Sequence, residues 1–100
     1  MTPRRPYLAA LTVTVRLDAA LSLKDKRMVT RSLKDGLRSS FGVTTCEVDG
    51  IDEKRRAVIY VGGLTTSRAR ADEMLSRMVN HVERRFGDHD IAFAAEIIEL

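Results

Sequence analysis

Two segments of the chain carry apolar residues at helical spacing on one face only, so each needs a flat apolar surface to cover. The first, Ser22 to Phe41, stacks Val29, Leu33 and Leu37 at i, i+4 and i+8. Ser22 is a suitable N-cap, with Asp25 three residues on as its capping-box partner, and Phe41-Gly42 ends the segment. Gly36 lies inside this helix and costs it up to about 1 kcal/mol relative to alanine. Close packing against a strand would account for it. The second segment runs from the N-cap Ser67 to Gly87. It places Ala71, Met74, Leu75, Met78, Val79, Val82 and Phe86 on a single broad face.

The surface these helices need is supplied by strands. From Tyr7 to Leu17 the period changes to two: Leu11, Val13, Val15 and Leu17 point one way, and Ala10, Thr12, Thr14 and Arg16 the other. Val43 to Asp49 is rich in β-branched residues, and Ala57 to Val61 reads as its hairpin partner across the polar turn Gly50–Arg55. Gly62-Gly63 and Thr65-Thr66-Ser67 read as a break after that strand. Ile91 to Leu100 follows Gly87-Asp88 and contains Ile97-Ile98, which favours a strand. Being apolar on both sides, it is expected to have its outer face covered as well.

The order strand, helix, strand, strand, helix, strand, with two one-faced helices and right-handed crossovers, leads to one architecture. It is an α+β, ferredoxin-like split βαβ sandwich (βαββαβ): a four-stranded antiparallel sheet, ordered 4-1-3-2, with both helices on one face. Residues 7–100 form this single domain. Residues 1–6, with two prolines and two arginines and nothing to bury, read as a flexible N-terminal tail.

With 44% hydrophobic residues, the chain has enough to build a core unaided by metal or disulfide. A single cysteine, Cys46, fits a reducing compartment and reads as a small core residue. No apolar run reaches the length of a membrane helix, and the expected location is cytoplasmic. No catalytic constellation, phosphate loop, dinucleotide fingerprint or metal-ligand spacing is found, so no enzyme activity, metal or cofactor is expected. His81 and His89 straddle a helix end and read as surface polar residues rather than a ligand pair. An RNA-recognition motif would need stacking aromatics on the first and third strands, where only Tyr60 is suitable. The acidic cluster Glu47, Asp49, Asp52 and Glu53, followed by Lys54, Arg55 and Arg56, reads as a solvated, self-paired hairpin.

Charge is distributed unevenly. The net charge is +3, but Ser22–Phe41 holds six basic and two acidic residues, whereas Asp88–Leu100 holds four acidic residues and no Lys or Arg. Along the first helix Lys24, Arg27, Arg31, Lys34 and Arg38 recur at 3, 4, 3, 4 spacing on one face. Like charges at i, i+4 repel, and stability alone does not favour the arrangement. Arg70, Arg77 and Arg84 recur at heptad spacing on the second helix, with Glu73 placed to pair with Arg77. If the helices pack side by side, the two rows could form one basic surface. The candidate nucleic-acid-binding residues are Lys24, Arg27, Arg31, Lys34, Arg38, Arg70 and Arg77.

The run Ser22-Leu23-Lys24-Asp25-Lys26-Arg27, then Ser32-Leu33-Lys34, Leu37-Arg38 and Phe41, and then Glu47-Val48-Asp49 with Asp52 and Arg56-Ala57, resembles the YlxP-like family of small bacterial proteins. The likeness spans about Leu8 to the C-terminus. Where that family usually carries an aromatic in the hairpin turn, this chain has Lys54. The resemblance implies a ferredoxin-like fold, no assigned enzymatic activity, and genes lying beside those of transcription elongation, translation initiation and ribosome-binding factor A. Two expectations follow. One is a non-enzymatic binding protein that meets structured RNA, ribosomal RNA or a ribosomal particle, in ribosome maturation, through its basic helix face. The other is a homodimer, joined through the sheet face or an edge strand, that binds a protein or small metabolite.

Overall fold

The alternation along residues 7–17 becomes one of the two inner strands of the sheet. The computed structural model describes residues 4–17, 22–49 and 56–100. Its elements are β1 (Tyr7–Arg16), α1 (Leu23–Phe41), β2 (Thr44–Asp49), β3 (Arg56–Thr65), α2 (Arg68–Phe86) and β4 (Asp90–Glu99). The sheet order is β2-β3-β1-β4, and every neighbouring pair is antiparallel. Both helices lie on one face, α1 against β2 and β3 and α2 chiefly against β1 and β4. This is the ferredoxin-like α+β sandwich that the element order requires.

The core fills the space between the helices and the sheet. Leu11, Val13, Val15 and Leu17 of the first segment meet Ile59 and Val61 from β3, Leu33 and Leu37 from α1, and Leu75, Met78 and Val82 from α2. Thr30 is buried among them, and its hydroxyl donates to the Arg27 carbonyl at 3.2 Å, which satisfies the one polar group on that stripe. Ser22 caps α1 as its sequence suggests. Its Oγ accepts from the Asp25 amide at 3.1 Å, and the Asp25 carboxylate accepts from the Ser22 amide at 3.2 Å. Gly42 closes the helix in the left-handed conformation, at φ 64°, donating to the Arg38 carbonyl.

Several expectations are corrected. β3 does not break at Gly62-Gly63 but runs on to Thr65, because both glycines pair with β1, opposite Ala10 and Ala9. Gly63 is needed there: a Cβ on it would lie 2.6 Å from Met74 Sδ and 3.0 Å from a Val43 methyl. Gly36 is explained by the other helix and not by a strand, since a Cβ would come within 3.1 Å of His81 Nε2 on α2. His81 is accordingly no simple surface residue. Its ring packs edge-on against Phe41, with centroids 5.5 Å apart. Cys46 is exposed on the outer side of the sheet and takes no part in the core. No described residue covers the outer side of β4, where Ala92, Ala94 and Ile98 are exposed. Of the predicted tail, residues 1–3 lie outside the described residues, as do the connector Asp18–Leu21 and the hairpin turn with its acidic cluster beyond Asp49. Arg4 to Pro6 are exposed, and the Pro6 carbonyl accepts from the Leu100 amide at 3.0 Å.

Candidate nucleic-acid interface

The rotation of α1 about its own axis decides where its basic residues go. Gly36 meets His81 on one flank, which therefore faces α2. Lys34 reaches Glu47 of β2 at 3.0 Å, which fixes the opposite flank over the sheet edge. At about 100° per residue, Lys24, Arg27, Arg31 and Arg38 fall within roughly 80° of Lys34. All five cations of the stripe thus share one flank, as their spacing suggests, and that flank looks away from α2. Two of them are engaged: Lys34 by Glu47, and Arg38 by Asp35 one turn earlier. Lys24, Arg27 and Arg31 are exposed, with no carboxylate paired to them among the described residues.

The α2 row faces the other way, toward α1. Arg70 and Arg77 line a cavity of about 660 Å³ with Ser40, Phe41, Glu73 and Met74. Arg77 also lines an adjoining cavity of about 550 Å³, whose walls include Asn80, His81, Arg84 and Arg85. Ser40 and Phe41, in the last turn of α1, belong to both. The helices do pack side by side, yet the two basic rows do not merge: the body of α1 stands between them. Glu73 lies 3.7 Å from Arg77, the i, i+4 pairing its position suggests, with both side chains well exposed. Burial, with the Arg85 and Arg84 guanidiniums close by, holds the His81 imidazole below its ordinary value of 6.5. His81 Nε2 is buried without a hydrogen-bond partner. The neutral form of the ring is therefore favoured over the charged one, and it adds little to the positive charge around it.

Sequence reasoning did not bring Ser40, Phe41, Asn80, His81 and Arg85 to this site. Gly36 was the available signal. A glycine in mid-helix marks the flank where another element approaches closely, and Ser40, one turn on, continues that flank toward the helix end.

The sheet's outer side is organised in rows set by the strand register. Val48, Val58, Thr14 and Ala92 form one; Cys46, Tyr60, Thr12 and Ala94 the next; then Thr44, Gly62, Ala10 and Glu96; and Leu64, Leu8 and Ile98 the last. Glu96 is the one charge in these rows, and a further row at the end beyond Val58, Thr14 and Ala92 holds Arg56, Arg16 and Asp90. Val48, Tyr60, Leu64 and Ile98 are large apolar or aromatic residues left exposed by the chain.

The sequence model of the family described as "Protein of unknown function (DUF503)" matches residues 8–94. The chain belongs to the DUF503 family. The match runs from the start of β1 to the middle of β4 and so takes in both helices. No curated protein is significantly similar to this DUF503 chain in sequence. Among solved structures, SnoaB, a cofactor-independent oxygenase from Streptomyces nogalater, superposes with a TM-score of 0.60 at 8% identity, over 89% of this chain and 90% of that one. A VAO-type flavoprotein from Myceliophthora thermophila C1 gives 0.59 at 12% identity, over 96% of this chain but 17% of that one. A protein from Thermus thermophilus described as PII-like gives 0.55 at 12% identity, over 94% and 89%. At such identities the likeness is one of fold. Among the described residues no helix is long and apolar enough to cross a membrane, and no group of three or more His, Cys, Asp or Glu could hold a metal ion.

Proposed function

We propose that this DUF503 chain is a non-enzymatic binding protein whose helix layer takes the phosphate backbone of structured RNA. The observation that carries the reading is the polarity of the molecule. The two helices hold eleven Lys and Arg against five Asp and Glu, a net +6 on a chain of net +3. Guanidinium and ammonium groups on a helix surface neutralise phosphates without reading bases, which suits recognition by shape and charge. No proton transfer or nucleophile enters this reading. The setting of ribosome maturation in the cytoplasm rests on the finer YlxP-like resemblance of the segment Ser22–Arg27. The test is retention of a structured ribosomal RNA fragment, and co-sedimentation with ribosomal particles, at two salt concentrations. With roughly four phosphates neutralised, raising monovalent salt from about 50 to 200 mM should weaken binding on the order of 50- to 150-fold. Absent retention at low salt, or binding indifferent to salt, would overturn the reading.

A second reading, self-association through the sheet, is favoured by the uncovered rows from Val48 to Ile98. A second copy is the occupant that charge favours: the rows from Val48 to Ile98 hold one charge, Glu96, and can meet, whereas the basic helix layers of two copies repel. A four-stranded face of this length projects on the order of 600 Å², near the roughly 800 Å² per partner of a standard interface. Face-to-face pairing would leave both helix layers open to a ligand. Light scattering at tens of micromolar should give twice the chain mass, and Tyr60→Glu should return it to the monomer. A strictly monomeric parent would end this reading.

A further inference from the structure

We propose that the strand of a bound RNA lies in the groove between α2 and the last turn of α1, along Arg70, Arg77 and Arg84, and not on the outward flank of α1. The inference rests on the RNA reading above and assigns that reading its site. The groove is concave, formed by two adjoining cavities that share Ser40, Phe41 and Arg77. Four guanidiniums line it, those of Arg70, Arg77, Arg84 and Arg85, and their fields add along its length. One lining carboxylate, Glu73, stands against them, and its 3.7 Å contact with Arg77 is solvent-exposed and readily exchanged for a phosphate. The α1 flank offers less, because Glu47 holds Lys34 in a shielded pair and the exposed Lys24, Arg27 and Arg31 stand on a convex surface with no second wall.

Spacing selects the ligand. Residues seven apart on a helix are separated by about 10.5 Å along its axis, and Arg70 to Arg84 by about 21 Å. Adjacent members of the row can close on a phosphate between them, but no single phosphate reaches all three. A chain of phosphates does, since a strand laid along the row presents one phosphate after another over that length. Phe41, half-buried and held edge-on by His81, gives the groove an aromatic wall on which an unpaired base can rest. Ser40 and Asn80 add hydroxyl and amide groups along the same path.

The experiment compares two triple variants of exposed residues, Arg70→Glu/Arg77→Glu/Arg84→Glu in the groove and Lys24→Glu/Arg27→Glu/Arg31→Glu on the flank. A fluorescein-labelled stem-loop RNA with a single-stranded overhang is the probe, read by anisotropy across a salt series. Versions of both triples with Gln in place of Glu, checked by circular dichroism, guard against loss of fold. The groove variants should lose at least about tenfold in affinity at low salt and about 3 in the slope of log affinity against log salt, with the flank variants changed only a few-fold. Groove variants that bind like the parent while flank variants lose affinity would overturn the site and leave the RNA reading standing. Variants that all bind like the parent, or a parent that does not bind, would overturn both. ATP displacing the RNA at micromolar concentration would show a mononucleotide pocket and overturn the strand assignment.

Discussion

Gly36 carries no side chain where α1 meets the His81 ring, and the fit there is close on both sides. Alanine usually gains about 1 kcal/mol over glycine in mid-helix. Here its Cβ would press on a ring already held by Phe41, so Gly36→Ala should lower the thermal midpoint. In a His81→Ala background the same change should become stabilising by about 1 kcal/mol, and a double-mutant cycle measures the reversal. Stabilisation by Gly36→Ala alone would show that the ring yields freely. His81 also makes stability depend on pH. Because its folded value lies below 6.5, folding favours the neutral ring. The contribution is complete above the unfolded value and is lost as pH falls through 6.5 toward the folded value. Urea midpoints measured from about pH 7.5 to 5.5 should fall with acidification, and His81→Gln should flatten that slope.

At the scale of elements, the glycine pair in β3 is the sharpest departure from local preference. Gly62-Gly63 is strand in spite of its composition because β1 supplies partners on one side and Met74 and Val43 fill the space above Gly63. Gly63→Ala should cost about 1–3 kcal/mol by overpacking, seen as a lower denaturant midpoint. Ser22→Ala should cost about 1 kcal/mol through loss of the cap on α1. Lys34 and Glu47, both mostly shielded by neighbours, should couple by up to about 1 kcal/mol in a double-mutant cycle. The periods of two and 3.6, the Ser22 cap and the order of elements could be read from the chain, since each is a local property. The end of β3 could not, because it depends on strands distant in sequence. Nor could the separation of the two basic rows, which follows from how each helix is rotated against its neighbours. Lys34 spent on Glu47 is of the same kind: one residue's partner lies across a loop and an edge strand.

Across the whole molecule, charge and apolar surface have been sorted to opposite sides. The helix layer is cationic, and the outer sheet is bare along its rows from Val48 to Ile98, with charge at Glu96 and in the end row Arg56, Arg16 and Asp90. If a second copy covers that sheet, Cys46, exposed in the free chain, should react more slowly with a maleimide as concentration rises and assembly proceeds. Equal rates from nanomolar to tens of micromolar would argue against burial of that row.

The outer sheet also has relief. Between the Tyr60 row and the Leu64 row, Gly62 and Ala10 leave a shallow trough at the centre of the sheet. A methyl group on Gly62 would find only the tip of Leu8 nearby, at an ordinary 3.5 Å. The chain itself can accept that methyl, but a molecule moulded to the trough cannot. Gly62→Ala is therefore a substitution to which folding is nearly indifferent and docking is not, and one small carbon can tell the two apart.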